Sequence, residues 1–230
     1  MKTIGLIGGM SWESSLEYYR IINEQVKEKL GGLHSAKSLM YSVDFDEIEK
    51  LQHQGNWNEA TRLMIDAAKR LEKGGADFVV ICTNTMHKMA DDVQNNIKIP
   101  LLHIADATAE KIKAKGLTKI GLLGTKFTME EDFYKGRLIN KYWLKVVIPD
   151  DQDRQIVHDI IYNELCLGEI NQSSKDQFIR IIKKLVDNGA KAVILGCTEI
   201  PLLVQQKDVE VLLFDTTRIH AEGAVEYSLK

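Results

Sequence analysis

The chain has 230 residues, of which 44% are hydrophobic and 27% are charged, and its formal net charge is −3. This composition is typical of an ordinary globular protein and gives no electrostatic argument for nucleic-acid or membrane binding. Three cysteines without a CxxC spacing (Cys82, Cys166 and Cys197) indicate neither a disulfide framework nor a zinc site. No apolar run is long enough to cross a membrane and the N-terminus does not resemble a signal peptide, so we expect a cytoplasmic protein.

Strands and helices alternate along the chain, which is the pattern of parallel sheets joined by helical crossovers. In the first half, the predicted elements are strand 4–7, helix 14–30, strand 38–43, helices 46–52 and 57–73, strand 78–81, strand 100–104 and helix 105–115. In the second half, they are strand 119–123, helix 129–141, strand 144–148, helices 153–166 and 173–187, strand 192–196, strand 211–215 and helix 217–229. We expect the last helix to pack back on the first half.

The two halves repeat each other in sequence. Residues 75–84 align with residues 189–198 at a constant offset of 114, and residues 4–9 align with residues 120–125 at an offset of 116. We therefore predict an α/β fold with two pseudo-symmetric lobes, each a parallel sheet flanked by helices, and an active site in the cleft between them. The predicted first lobe contains residues 1–103 and 210–230, and the predicted second lobe contains residues 104–209.

Polar side chains follow four of the predicted strands, in the segments 8–11, 83–85, 124–128 and 196–199. Because ligands bind at the carboxyl ends of the strands in such sheets, these segments are candidates for a binding site. Within them, the repeat pairs Thr83 with Cys197, so each half contributes one group that could move a proton.

Cys197 is the strongest catalytic candidate. It lies between Gly196 and the Thr198-Glu199 pair, where main-chain amides at the start of a turn or helix can lower the pKa of a thiol and so create a base or nucleophile. The hydroxyl of Thr83 can donate a proton but is a poor base. Strand alternation predicts that Thr83 faces the cleft and that its neighbour Cys82 lies in the core.

Other patterns carry less chemical information. The glycines at 5–9 lack the GxGxxG spacing of a dinucleotide loop, and residues 125–128 are not a Walker motif. No HxH or HExxH pattern predicts a metal site. His87 and His220 are the histidines that could influence a thiol, and core packing is expected for Cys166. Neutral side chains suited to holding a carboxylate by hydrogen bonds are Asn84, Thr85 and Thr198.

Three segments of the chain, 5–14 (GLIGGMSWES), 84–87 (NTMH) and 196–200 (GCTEI), together resemble the aspartate/glutamate racemase superfamily over essentially the whole sequence. This resemblance implies two α/β lobes, no cofactor and commonly a homodimer. Members use two cysteines, one to remove the α-proton of an amino acid and one to reprotonate the opposite face. Here Thr83 stands at the first of these positions and Cys197 at the second, which resembles the L-aspartate/glutamate-specific racemases.

The resemblance thus implies racemisation of a small-molecule acidic amino acid by two-site proton transfer at Cα. Cys197 is the expected base for the L-enantiomer, and Thr83 is the expected donor to the opposite face. Because threonine is a poor base, turnover is expected to be strongly asymmetric. The predicted substrate-binding residues are Met10, Gln52, Asn84, Thr85, Thr125 and Thr198.

The sequence leaves the choice among aspartate, glutamate and a wider range of substrates open. Aspartate racemases typically meet the side-chain carboxylate with basic residues in two stretches, and the corresponding stretches here, 43–48 and 165–168, contain none. Gln52 or His53 could reach that carboxylate instead. Two other functions also fit the sequence: a single-thiol decarboxylase or isomerase of the same superfamily, and a non-catalytic acidic amino acid sensor.

Overall fold

Each half of the repeat folds around a parallel sheet of four strands. The computed structural model describes residues 1–230. The first sheet has the order β2-β1-β3-β4, with β1 (Ile4–Gly8), β2 (Ser38–Ser42), β3 (Phe78–Ile81) and β4 (Leu101–Leu102). The second has the order β6-β5-β7-β8, with β5 (Lys119–Gly124), β6 (Lys145–Val147), β7 (Ala192–Gly196) and β8 (Leu212–Asp215). The equal strand orders confirm the predicted pair of parallel sheets.

Helices connect the strands and flank the sheets, as the alternating pattern predicts. The helices before β5 are α1 (Trp12–Leu30), α2 (Phe45–His53), α3 (Trp57–Lys73), α4 (Ala90–Asn96) and α5 (Ile104–Ala114). The later helices are α6 (Lys126–Glu130), α7 (Arg137–Tyr142), α8 (Asp151–Asn163), α9 (Gln172–Asp187), α10 (Ile200–Leu203) and α11 (Thr216–Ser228). Short 3₁₀ turns cover Thr85–Met89, Leu165–Leu167 and Gln206–Asp208, and one π-helical turn covers Asp132–Gly136.

The central strands of the first sheet are buried on both faces. Every residue of β1 and β3 is buried, and Ile4 aligns with Phe78 across the pair. Since parallel sheets are covered by helices on both sides, such strands contain continuous apolar runs. The C-terminal helix contributes to one of the two cores: Ala224 and Val225 pack in the same cluster as Ile4. The predicted return of the last helix to the first half is confirmed.

The chain divides into two compact units, Met1–Ile104 with His220–Lys230, and Ala105–Ile219. The segment 210–219 was expected in the first lobe, and here the structure differs from the expectation. Strand β8 pairs in parallel with β7, with Ile194 opposite Phe214, so this segment completes the second sheet.

A second difference concerns the predicted helix 129–141. The structure has α6, then Glu131 in an extended conformation (φ −85°, ψ 155°), then the π-helical turn and α7. The extended backbone at Glu131 ends α6, and its N–H bonds the carbonyl of Phe127. The apolar periodicity of this stretch therefore spans three short elements instead of one helix.

In each sheet, the side chain of one glutamine forms hydrogen bonds with main-chain groups in or just before an outer strand. The Gln94 amide accepts from Leu101 N–H (2.7 Å) and donates to the Ile99 carbonyl (3.1 Å). In the second sheet, the Gln206 amide accepts from Leu213 N–H (2.9 Å) and donates to the carbonyls of Val209 and Val211. Unpaired groups on edge strands invite pairing with another chain, and each glutamine satisfies some of them.

None of the helices combines the length and the apolar character that a membrane-spanning segment needs.

Candidate active site

In the first unit, the loop after β1 is tied to the start of α1. Gly9 has φ +90°, and a Cβ at this position would lie 2.2 Å from the carbonyl oxygen of Val43, so only glycine fits. The Gly9 N–H donates to Ser15 Oγ at 2.7 Å, and Ser11 caps α1 by accepting from Ser14 N–H. These contacts fix the carboxyl end of β1.

Thr83 follows β3, and its side chain is half-buried. The preceding Cys82 is buried among the core residues of the first unit, as strand alternation predicts. Burial raises the pKa of the Cys82 thiol far above its usual range, so this thiol stays protonated. Cys82 is therefore a core residue.

The predicted substrate-binding residues of the first unit are all buried: Met10, Gln52, Asn84 and Thr85. Met10 packs in the same apolar cluster as Met86, and the Gln52 amide nitrogen lies 3.1 Å from the Met86 sulfur. The structure thus brings Met10 and Gln52 to one cluster. His53, by contrast, is exposed and pairs with Glu49, with 2.8 Å between Nδ1 and Oε1. This contact directs His53 to solvent.

His87 and His220 are buried in the first unit, and both ring nitrogens of each have a partner. The nitrogens of His87 contact the Thr83 carbonyl and the Ile104 N–H. Those of His220 contact the Tyr18 hydroxyl and the Leu102 carbonyl, both at 2.9 Å. Burial lowers the pKa of His220 to about 4. With both nitrogens engaged in this way, neither ring has a nitrogen left to bond a thiol.

In the second unit, β5 and β7 end side by side at two glycines. Gly124 aligns with Gly196, and a Cβ on either would lie 2.7 Å from a carbonyl oxygen of the other strand. This close approach places Thr125 and Cys197 directly after paired residues. Thr125 is buried and caps α6, because its side chain accepts from the Thr128 N–H at 3.3 Å.

The side chains after β7 form a hydrogen-bonded group. Cys197 is 8% exposed, and its thiol donates to Glu199 Oε2 at 2.9 Å. The Thr198 hydroxyl donates to the same oxygen, also at 2.9 Å. Glu199 itself is buried. Because the Glu199 carboxylate accepts a hydrogen bond from the thiol, it is a candidate acceptor for the thiol proton.

The sequence predicts a lowered pKa for the Cys197 thiol, and in the structure its pKa is raised. Burial is the largest cause, and together with the nearby Glu199 carboxylate it raises the thiol pKa well above its usual range, which outweighs the lowering effect of the main-chain hydrogen bond at Glu199. The resting side chain is a thiol. Cys166 is half-buried on a 3₁₀ turn that packs against α10, the helix that begins three residues after Cys197.

Glu199 is a candidate functional residue that the sequence did not single out. The only signal was its place in the Gly196–Ile200 motif, two residues after the thiol. Its contact with Cys197 depends on the turn between β7 and α10, which the sequence does not specify. The structure gathers no three His, Cys, Asp or Glu side chains into a group that could hold a metal ion.

The chain is similar to known proteins in both sequence and fold. The family model described as Asp/Glu/hydantoin racemase matches residues 7–224. A proposed Asp/Glu racemase from Yersinia pestis is 57% identical, with a TM-score of 0.93 and 100% of both chains covered. An aspartate racemase homologue from Pyrococcus horikoshii is 38% identical, with a TM-score of 0.85 and the same coverage.

A third relative is the broad specificity amino-acid racemase RacX of Bacillus subtilis. It is 23% identical over 236 residues, which cover 96% of each chain. The family match spans nearly the whole sequence, and the relatives share its full length. The chain belongs to the Asp/Glu/hydantoin racemase family and is an amino-acid racemase.

Proposed function

We propose that this protein racemises acidic amino acids, L-aspartate and L-glutamate, without a cofactor, by two-site proton transfer at Cα. The observation that carries the proposal is the 2.9 Å hydrogen bond from the Cys197 thiol to Glu199. It provides a buried sulfur that can become a base once its proton has moved to a neighbouring carboxylate.

The first step follows from the raised pKa of Cys197. A protonated thiol cannot remove an α-proton, so the thiol proton first passes along the hydrogen bond to Glu199 Oε2. The thiolate sulfur then takes the α-proton of the L-enantiomer, and the electron pair of the C–H bond stays on the substrate as a carbanion. The hydrogen bond from Thr198 stabilises the orientation of the Glu199 carboxylate during this transfer.

Thr83 supplies the second proton in this proposal. It occupies the position after β3 that Cys197 occupies after β7, and its side chain is half-buried. The hydroxyl gives its proton to the opposite face of the carbanion and regains one from solvent, while Glu199 releases to solvent the proton that it took from Cys197. Because a threonine hydroxyl is essentially never ionised near neutral pH, it serves poorly as a base for the D-enantiomer. Catalysis is therefore one-sided.

The carbanion needs hydrogen bonds to the substrate carboxylate, since no other electron sink is proposed. Asn84 and Thr85, both buried beside Thr83, are the proposed donors. The further proposed substrate-binding residues are Met10, Gln52, Thr125 and Thr198. Gln52 is held by its contact with Met86 and is the proposed partner of the side-chain carboxylate.

Similarity to named relatives supports an acidic substrate while leaving room for others. An aspartate racemase homologue is 38% identical to this chain, and the relative RacX is called a broad specificity racemase. No basic residue lies at 43–48 or 165–168, so a neutral amide is the proposed contact for the side-chain carboxylate. An amide binds carboxylates of different reach less selectively than a bidentate arginine does.

An exchange experiment tests the proposal. Purified protein in heavy water is given L-aspartate, L-glutamate or either D-enantiomer, and proton NMR follows loss of the α-proton while chiral chromatography follows the product. We expect exchange from the L-enantiomers with D product, little from the D-enantiomers, and none with Cys197→Ala. Activity retained by Cys197→Ala would overturn the proposal. Binding without exchange in the wild type would favour a sensor, and turnover of a malonate alone would favour a decarboxylase.

We also propose a homodimer. The first unit exposes three apolar side chains on one side of α1, Trp12 (66%), Leu16 (54%) and Tyr19 (51%), with Met40 of the outer strand β2 beside them in one surface groove. Contiguous exposed apolar surface of this kind marks interaction sites. Light scattering should show a dimer that Leu16→Asp dissociates and Leu33→Asp, at a fully exposed position, does not. A monomeric wild type would contradict this.

The cytoplasmic location stays a prediction.

A further inference from the structure

The main chain that carries Thr83 is held at three consecutive carbonyl groups. The Cys82 carbonyl accepts from Ser14 Oγ at 3.1 Å. The Thr83 carbonyl bonds His87 Nδ1 at 2.7 Å, and the Asn84 carbonyl accepts from the His87 N–H at 3.0 Å. His87 makes two of these three hydrogen bonds, so it contributes more than Ser14 does to holding the turn after β3.

The partners of the His87 ring define its protonation state. A carbonyl oxygen only accepts, so Nδ1 must carry the hydrogen that bonds the Thr83 carbonyl. A main-chain amide only donates, so Nε2 must be the acceptor for the Ile104 N–H at 3.2 Å. The ring is therefore a neutral imidazole that links the turn after β3 to the first residue of α5.

The surroundings of the ring support this state. His87 is buried, and the rings of His103 and His220 lie with their centroids 4.6 Å and 5.7 Å from its own. Burial, followed by these two imidazoles, holds the pKa of His87 well below its usual range, and this outweighs the raising effect of the main-chain hydrogen bonds at Thr83 and Leu102. A cationic ring would also present an N–H to the Ile104 N–H, where an acceptor is needed.

We propose that His87 is a positioning residue for Thr83: by donating from Nδ1 to the Thr83 carbonyl, it holds the Thr83 hydroxyl where it protonates the substrate carbanion. This inference rests on the proposed function, in which Thr83 supplies that proton. His87 touches no reacting atom in this account. Its effect passes through one main-chain hydrogen bond, which distinguishes it from a residue that only fills the core.

Two substitutions separate the two hydrogen bonds of the ring. In His87→Asn, the side-chain amide nitrogen lies near the place of Nδ1 and can still donate to the Thr83 carbonyl, but nothing reaches Ile104. In His87→Gln, the longer side chain can offer its oxygen to the Ile104 N–H, and the bond to Thr83 is lost. Each variant loses one hydrogen bond, so their losses of thermal stability should be similar.

The readout separates the two proton transfers. Loss of the α-proton from L-aspartate in heavy water measures removal by Cys197, and formation of D-aspartate measures delivery by Thr83. We expect His87→Gln to lower kcat for D-aspartate formation by about tenfold or more with little change in KM, since small misplacements of catalytic groups have effects of this size. His87→Asn should lose much less, and α-proton loss should fall far less than product formation in both.

Several results would overturn the proposal. Equal losses of D-aspartate formation in the two variants would show that the Thr83 bond has no special part. Equal losses of α-proton exchange and product formation in His87→Gln would show a general effect on the fold. An absence of α-proton loss in the wild type would instead contradict the proposed function itself.

One measurement needs no variant to fold. Nitrogen NMR of histidine-labelled wild-type protein distinguishes the two neutral tautomers of a histidine. We expect His87 to carry its proton on Nδ1 throughout the pH range in which the protein is active. A proton on Nε2, or a cationic ring in that range, would contradict the hydrogen bond on which the proposal depends.

Discussion

The Cys197 thiol and the Glu199 carboxylate form a buried pair, with Sγ 2.9 Å from Oε2. In the proposed mechanism, this pair lets a thiol with a raised pKa act as a base, because the thiol proton passes to the carboxylate. The proposal therefore requires both Glu199 and the sulfur for removal of the α-proton.

Replacing Glu199 by glutamine should have opposite effects on reactivity and catalysis. Glutamine cannot take up the thiol proton, so α-proton exchange from L-aspartate should fall by about 10²-fold or more. Loss of the neighbouring negative charge removes one cause of the raised Cys197 pKa, so alkylation of Cys197 by a neutral reagent at a fixed pH should become faster.

Glu169→Gln provides the matched control, because Glu169 is an exposed carboxylate of the same unit. It should change neither rate. Undiminished exchange in Glu199→Gln would remove Glu199 from the proposed proton path.

His220 should make stability depend on pH in mildly acidic solution. Its pKa is lowered from 6.5 to about 4 by burial, so between these values the unfolded chain binds a proton that the folded chain does not. Stability therefore falls as the pH falls through this window. From pH 7 to pH 5 the loss due to this residue should be roughly 2 kcal/mol.

His220→Gln tests this expectation. The glutamine amide can still donate to the Leu102 carbonyl, as Nε2 does, but it does not titrate. Urea unfolding at the two pH values should show a smaller loss for the variant, although its stability at pH 7 should be lower because Tyr18 loses an acceptor. The same pH dependence in both proteins would rule out His220 as its source.

Gln206 should contribute to both stability and solubility. Gln206→Leu removes three hydrogen bonds to main-chain groups in β8 and in the segment before it, and should destabilise the protein by about 1–3 kcal/mol. It also leaves edge groups unsatisfied, so the variant should associate further at high concentration, as light scattering would show. Gln25→Leu makes the same change at a half-buried helix position, where the glutamine donates to the Glu28 carboxylate instead of bonding main-chain groups, and should do neither. Equal behaviour of the two variants would contradict this role.

Much of the fold follows from patterns visible in the sequence. The apolar runs at 78–81 and 192–196 predict central buried strands, and the structure has them at β3 and β7. The assignment of 210–219 differed because an isolated apolar run does not name its partner strand. The two halves correspond here as well. Leu101 of β4 donates to Gln94 and Leu213 of β8 donates to Gln206, so β8 lies at the edge of the second sheet as β4 does in the first.

The site could be predicted only in part. The repeat selects Thr83 and Cys197, and strand alternation predicts the burial of Cys82, which the structure confirms. The pKa direction of Cys197 was wrong, because it depends on burial and on the Glu199 contact, and both arise only when the turn after β7 has formed. The tautomer of His87 likewise depends on Ile104, which is distant in sequence.

The most direct test of the account is α-proton exchange by the Thr83→Ala variant in heavy water with L-aspartate. In the proposed mechanism, Cys197 removes the α-proton and Thr83 delivers a proton to the opposite face. The variant should therefore still replace the α-proton of L-aspartate by deuterium, while formation of D-aspartate falls by about 10²-fold or more. Formation of D-aspartate at the wild-type rate, or parallel loss of both activities, would contradict the division of roles between Cys197 and Thr83.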